Sequence, residues 1–279
     1  MKQKLQTILS ITTLVAVVLC CIFCFNFNTI AQAATGETRY TGYASTVPYD
    51  LTTTTETVTF TRREESYVET YKGVPRYREI SGVSNACGPI AGAMIVGFYD
   101  RYYEDLIPEY TTYVSSGTYK GNDTVYIPQL IRELYSLMRT NVDDVGVNET
   151  DCLNGLKLYV EGKGRSISYS NIKSINKVNE TSLIKSINNN VPVLLFCSKS
   201  DMYAISSGTN DDLIVKSSMA GAHIVVGYGL YTINYYNGNT LFRTDKYIRV
   251  ATGLSSTSST YFKLSATDWC NSAYSVEIS

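Results

Sequence analysis

Apolar residues recur at helical spacing just after Cys87. Ala91, Met94, Ile95, Phe98 and Tyr102 form one stripe, which predicts an amphipathic helix with one buried face. Pro89 suits an early helical position, where its missing N–H costs nothing, so Cys87 falls at the helix N-terminus. Asp105 to Pro108 ends this element. Glu109 to Tyr126 reads as a loop, with turn signals at Ser116-Gly117 and Gly121-Asn122-Asp123. Pro128 opens a second helix, with Leu130, Ile131, Leu134, Leu137 and Met138 as its buried stripe. Thr150 is the expected N-cap of a third, with Leu153, Leu156 and Tyr159 on one face and an end near Gly162-Lys163-Gly164.

The period then changes. Ser166 to Tyr169 suggests a short strand, and Thr181 to Asn188 a fourth helix. Val191 to Cys197 is an apolar run of strand length, as expected of a strand buried on both faces. Ser198 to Ala222, with Gly208, Asn210, Asp211 and Asp212, reads as a long connection. From His223 onward the chain alternates as β-hairpins, with Asn237-Gly238 as a two-residue turn. A continuous hairpin about that turn sets Thr252 opposite His223; a slip of two residues gives Val250 or Leu254. Upstream, Ala34 to Tyr71 is polar and rich in Thr and Tyr. Only Thr57 to Thr61 alternates like a strand there, and Arg62 to Glu65 reads as a solvated turn.

The length of 279 residues suits one main domain. The expected organisation is a leader at 1–33, an extension at 34–71 that packs on the domain, and a catalytic domain at 72–279. Lys2 and Lys4, the apolar run Leu14 to Phe25 and the site Ala31-Gln32-Ala33 together read as a secretory signal peptide cut before Ala34. The apolar core is short for a membrane span; left uncleaved, the leader would be an N-terminal anchor. Cleavage predicts a secreted, extracellular product. The net charge is −1, and without the two leader lysines 22 basic residues face 25 acidic ones, which leaves −3. No basic patch stands out, so nucleic acid is not an implied partner. Of the seven cysteines, Cys20, Cys21 and Cys24 lie in the leader, which leaves Cys87, Cys152, Cys197 and Cys270. Export permits disulfides. With Cys87 reactive, the other three allow at most one bridge, and three buried thiols are the simpler reading.

Cys87 carries the candidate chemistry. Unpaired N–H groups give a helix N-terminus partial positive charge, which favours thiolate, and a thiolate is the nucleophile that cysteine hydrolases need. The base must be His223, the only histidine, 223 − 87 = 136 residues downstream. A lone histidine excludes a Cys-His-His arrangement and leaves a catalytic metal short of ligands, so neither metal nor cofactor is expected.

Cys87-Gly88-Pro89 opening an apolar helix, with His223-Ile224-Val225-Val226-Gly227-Tyr228-Gly229 after it, resembles the papain-like cysteine peptidase superfamily and within it the bacterial bacteriocin-leader-peptidase-like branch. The Cys-to-His spacing agrees with the roughly 130–150 residues of papain-like enzymes, and Val74-Pro75-Arg76-Tyr77 resembles the branch's lead-in. The resemblance spans Lys72 to Ser279. It implies an α+β fold in which an N-terminal helical half packs against a C-terminal antiparallel β half. It also implies a monomeric thiol protease of Gram-positive origin, cleaving a peptide or protein substrate through a thioester. A cell-wall amidase or endopeptidase would use the same chemistry. An inactive surface binding module is the contrasting class, which the reactivity of Cys87 separates.

The chain departs from the family pattern twice. Where the branch places an oxyanion-hole glutamine, Arg78 or Glu79 stands, and Gln129, the only glutamine after the leader, lies beyond Cys87. The Cys87 backbone N–H remains as one donor, with Asn85 or Ser84 as candidates for the other. The family's third catalytic residue, Asn or Asp, comes from a strand that Tyr247 to Val250 resembles. Here Ala251-Thr252-Gly253 follow, so the Thr252 hydroxyl is expected to orient the imidazole. Asn237 and Asn239 belong to the turn. Asp245 qualifies only if the hairpin breaks near Gly227 or Gly229. Asp268 beside Trp269 reads as a surface acid next to a core indole.

Overall fold

The computed structural model describes residues 51–279, apart from 72, 114–118, 122, 143–145, 220 and 255–259. The leader and the first part of the polar lead lie outside the described residues. In chain order the elements are β1 (Leu51–Thr59), β2 (Arg62–Glu69), α1 (Cys87–Asp100), β3 (Thr111–Tyr113), β4 (Tyr119–Gly121), α2 (Asp123–Leu137) and α3 (Glu149–Gly162). They continue with β5 (Ile167–Asn171), β6 (Lys173–Ser174), β7 (Lys177–Val178), α4 (Glu180–Asn188), β8 (Val193–Cys197), β9 (Ser200–Ser207) and β10 (Asp211–Met219). The last are β11 (His223–Asn237), β12 (Thr240–Ala251), β13 (Thr260–Lys263) and β14 (Cys270–Ile278).

Ten of the strands form one antiparallel sheet, in the order β1-β10-β9-β13-β12-β11-β8-β14-β5, with β2 added along β11. The 15-residue β11 is its spine. One edge pairs with β12 from Val226 to Asn237, with register shifts between Gly227 and Gly229 and between Tyr235 and Tyr236. The other pairs with β8 over His223 to Gly227 and with β2 over Gly229 to Tyr236. Side chains alternate across a strand, so β8 and the start of β11 feed two cores. Leu194, Phe196, Ile224 and Val226 pack under α1, α2 and α3. Val193, Leu195, Cys197 and Val225 pack with Leu183 and Ile187 of α4. The far end of the sheet has a third core, built from Val58, Ile214, Tyr231, Ile233, Tyr235 and Tyr247.

These positions overturn the expected papain-like halves. Among the described residues strand outweighs helix, 42% to 25%, and two strands enter the sheet before the first described helix begins. The polar lead is woven in: β1 pairs with β10 from Leu51↔Met219 to Thr59↔Asp211, and β2 lies along β11. Arg62 to Glu65 is therefore the start of β2. The Ser198–Ala222 connection is the β9–β10 hairpin, in register from Met219↔Ser200 to Asp212↔Ser207. Both segments are polar on at least one face, so they lack the apolar alternation that marks a buried strand. β-branched Thr still suits a pleated surface, and the neighbouring strand supplies the ladder bonds.

Local corrections have similar causes. Helix α1 buries every residue from Gly88 to Asp100, so its apolar stripe understates it, and Tyr102 lies beyond its end, exposed. Helix α2 starts ahead of Pro128, which sits inside it. The N-cap of α3 is Asn148, whose side chain accepts from the Asp151 N–H at 2.8 Å, in place of Thr150. The hairpin loop is Gly238-Asn239, with Asn237 paired to Thr240. Gly238 has φ +59° there, which glycine adopts freely at the first central position of a two-residue hairpin loop.

Candidate active site

The N-terminus of α1 and the N-terminal end of β11 meet at a cavity of about 600 Å³. Cys87 and His223 both line it, with Ala86 and Ile224. Close packing sets how near the helix comes. A Cβ on Gly88 would sit 2.4 Å from Val147 Cγ1, so only glycine lets α1 seat its first turn against the chain leading into α3.

No side chain caps α1. Backbone amides of Ile224 and Gly88 lie close to the half-buried Cys87 sulfur. Burial raises the thiol; these amides lower it, the Glu79 carboxylate raises it, and the balance stays above the ordinary value. Burial thus opposes the helix-terminus thiolate expected from sequence and favours the thiol. His223 is 6% exposed, and its Nε2 lies 2.7 Å from the Thr252 carbonyl oxygen. A carbonyl only accepts, so Nε2 carries the proton and Nδ1 keeps its lone pair. Burial lowers the imidazole, the carbonyl partly offsets this, and the group is held neutral.

Thr252 therefore meets the imidazole through its main chain. Its hydroxyl accepts from the Leu254 N–H at 3.2 Å. Asp245 is no partner for His223. It pairs with Ile233 in the ladder and forms ion pairs with Arg243 at 2.7 Å and Lys263 at 3.0 Å in the distal core. Asn237 and Asn239 stand at the hairpin tip, on the order of 45 Å along the strand. Asp268 is exposed and Trp269 buried against Phe262.

Cys87 and His223 reach the cavity from different sides of the sheet. His223 is register partner of Cys197, whose side chain belongs to the α4 core, while the α1 helix lies on the face of Ile224. The thiol and the imidazole are not hydrogen bonded to each other; the ring bonds the Thr252 carbonyl and the sulfur lies close to backbone amides.

The oxyanion-hole candidates separate. Asn85 lines the cavity in a left-handed conformation, φ 52°, which Asn tolerates. Its amide donates to Asn141 Oδ1 at 2.9 Å, while Asn141 Nδ2 reaches Ser84 Oγ at 2.9 Å. Glu79, near the place of the family's glutamine, lines the cavity with a carboxylate, which opposes an oxyanion. Sequence reasoning missed Asn141, Phe196, Asn271 and Glu149, the last held by Ser272 and by Tyr274 Oη at 2.5 Å. Only the Asn148 cap, just ahead of Glu149, left a local signal.

No protein-family model, curated protein or solved structure matches this chain. The papain-like resemblance thus stands on its motif residues alone. Among the described residues no cluster of His, Cys, Asp or Glu could hold a metal ion. All four cysteines after the leader are free thiols. No helix of the described residues is long and apolar enough to cross a membrane.

Proposed function

We propose that the chain is a cysteine hydrolase of peptide (amide) bonds, exported through residues 1–33, with Cys87 as nucleophile and His223 as proton carrier. The observation that carries this reading is a half-buried thiol on an uncapped helix N-terminus, in one cavity with the only histidine. In the resting pair both groups are neutral. As the sulfur attacks a carbonyl carbon, its proton passes to His223 Nδ1 across the cavity that both residues line; catalytic hydrogen bonds are often long before substrate binds. The Thr252 carbonyl then faces an imidazolium N–H and stabilises it. The Cys87 backbone N–H is the oxyanion donor. The imidazolium protonates the leaving amine, and water, deprotonated by His223, hydrolyses the thioester.

The test is a mass-spectrometric screen of peptide mixtures, including cell-wall peptides, with the full chain and its Cys87→Ala variant. Cleavage that disappears in the variant supports the reading. Equal cleavage by both, or none by either across the mixtures, contradicts it and favours a binding module.

A further inference from the structure

The cysteines that this mechanism does not use are not scattered. Cys197, the last residue of β8, and Cys270, the first of β14, are register partners on neighbouring antiparallel strands, both free and buried at 2% and 3% exposure. Beside them the Ser198 N–H donates to the Trp269 carbonyl at 2.8 Å. That bond joins the residue after Cys197 to the one before Cys270, so the cysteines occupy a non-hydrogen-bonded pair. Such pairs set Cα atoms about 4.5 Å apart with side chains on one face, within the roughly 4.4–6.8 Å that a disulfide spans; the ladder shifts register just after this pair, between Cys270 and Ser272. Each thiol now points to a carbonyl of its own strand, Cys197 to Leu195 at 3.8 Å and Cys270 to Ser272 at 3.2 Å. A change of side-chain rotamer can bring the sulfurs together without a change of register. Across β8, Cys197 pairs with His223, and Cys197 is among the residues that line the cavity.

We infer that Cys197 and Cys270 form a reversible redox dithiol, oxidised to a cross-strand disulfide by a low-molecular-weight disulfide that enters through the cavity. Cys197, deprotonated, attacks one sulfur of the small disulfide, breaks its S–S bond and releases one small thiolate. Cys270 loses its proton and attacks Cys197 in the mixed disulfide, releasing the second. The protein loses two electrons and two protons, and the small disulfide leaves as two thiols. Burial holds both thiols above their ordinary value, Cys270 at about 12, so exchange quickens as pH rises. The disulfide would tie the strand that carries His223's ladder partner to β14, closing a loop of 270 − 197 = 73 residues.

The inference is tested on the folded full chain carrying Cys87→Ala, treated with oxidised glutathione at mildly alkaline pH and mapped by peptide mass. The expected result is one cross-linked peptide joining Cys197 to Cys270, two hydrogens lighter, reverting with dithiothreitol, with a melting temperature several degrees higher while oxidised. Adding Cys270→Ala should leave a glutathione adduct on Cys197 instead. Absence of the cross-link from folded protein, or its formation only in denaturant, overturns the inference. Neither result depends on hydrolytic activity.

Discussion

Strand β11 runs through two environments. Its first five residues, His223 to Gly227, pair with β8, the last two also with β12, under helices on both faces, and their neighbours are nearly all apolar. From Gly229 to Tyr236 it lies between β2 and β12, and its core is built of tyrosines and buried charge. There Asp212, fully buried, pairs with Arg63 at 2.8 Å and accepts from the Tyr235 hydroxyl at 2.8 Å. Burial would raise the Asp245 carboxyl, but Arg243 and Lys263 outweigh it and hold it low. The distal end is held by matched charge. The proximal end is held by close packing and keeps two neutral titratable groups beside a cavity.

The comparison breaks hardest at the distal end. Asp212→Ala removes the fully buried partner of Arg63, which keeps Glu65 at 2.8 Å, and takes the acceptor from the Tyr235 hydroxyl, a loss of about 3 kcal/mol, the low end for a broken buried pair. Denaturant unfolding should show this loss, while Cys87 alkylation in folded protein stays unchanged.

At the proximal end the corresponding change is steric. A Cβ on Gly155 of α3 would lie 2.6 Å from the Met138 backbone nitrogen. Gly155→Ala should therefore destabilise by about 1–3 kcal/mol, the range of overpacked cores, and loosen α3 at the cavity wall. Here, unlike Asp212→Ala, Cys87 alkylation should change along with the unfolding midpoint.

These contrasts show what the sequence makes legible. The run Val191 to Cys197 announces β8 because both faces are buried and every position is apolar or small. Segments 51–59 and 200–219 hide their strands because only scattered positions, such as Val58 and Ile214, face a core. Cys87 and His223 were legible from a motif and a count of one. The wall between them was not, since Phe196, Glu149 and Asn271 arrive from separate elements and share no sequence spacing. Thr252 was legible in place but not in role, because a main-chain carbonyl leaves no trace in residue identity.

A smaller effect separates the ends by pH. His223 is held neutral below its unfolded value near 6.5, so the unfolded chain binds more protons as pH falls through that value. Stability should be full above about pH 6.5 and decline below it, until the folded imidazole protonates as well. With one histidine in the chain, His223→Gln should flatten the slope between about pH 5.5 and 7.5. Above about pH 9 stability should fall again, since burial raises Cys87, Cys152, Cys197 and Cys270.

The smallest expected effect is that of Thr252→Val. It removes the hydroxyl that meets the Leu254 N–H but keeps the carbonyl on His223. A loss of about 1 kcal/mol in stability is expected, with hydrolysis and the His223 titration unchanged. A fall in turnover would return the orienting role to the side chain.

The most direct measurement is the labelling of Cys87 by a peptidyl electrophile at neutral pH, followed by peptide mapping of the native chain and of His223→Ala. The account predicts rapid labelling of Cys87 ahead of the buried Cys152, Cys197 and Cys270, and a marked slowing in the variant. An unreactive Cys87 in folded protein, or one labelled equally fast without His223, would contradict it.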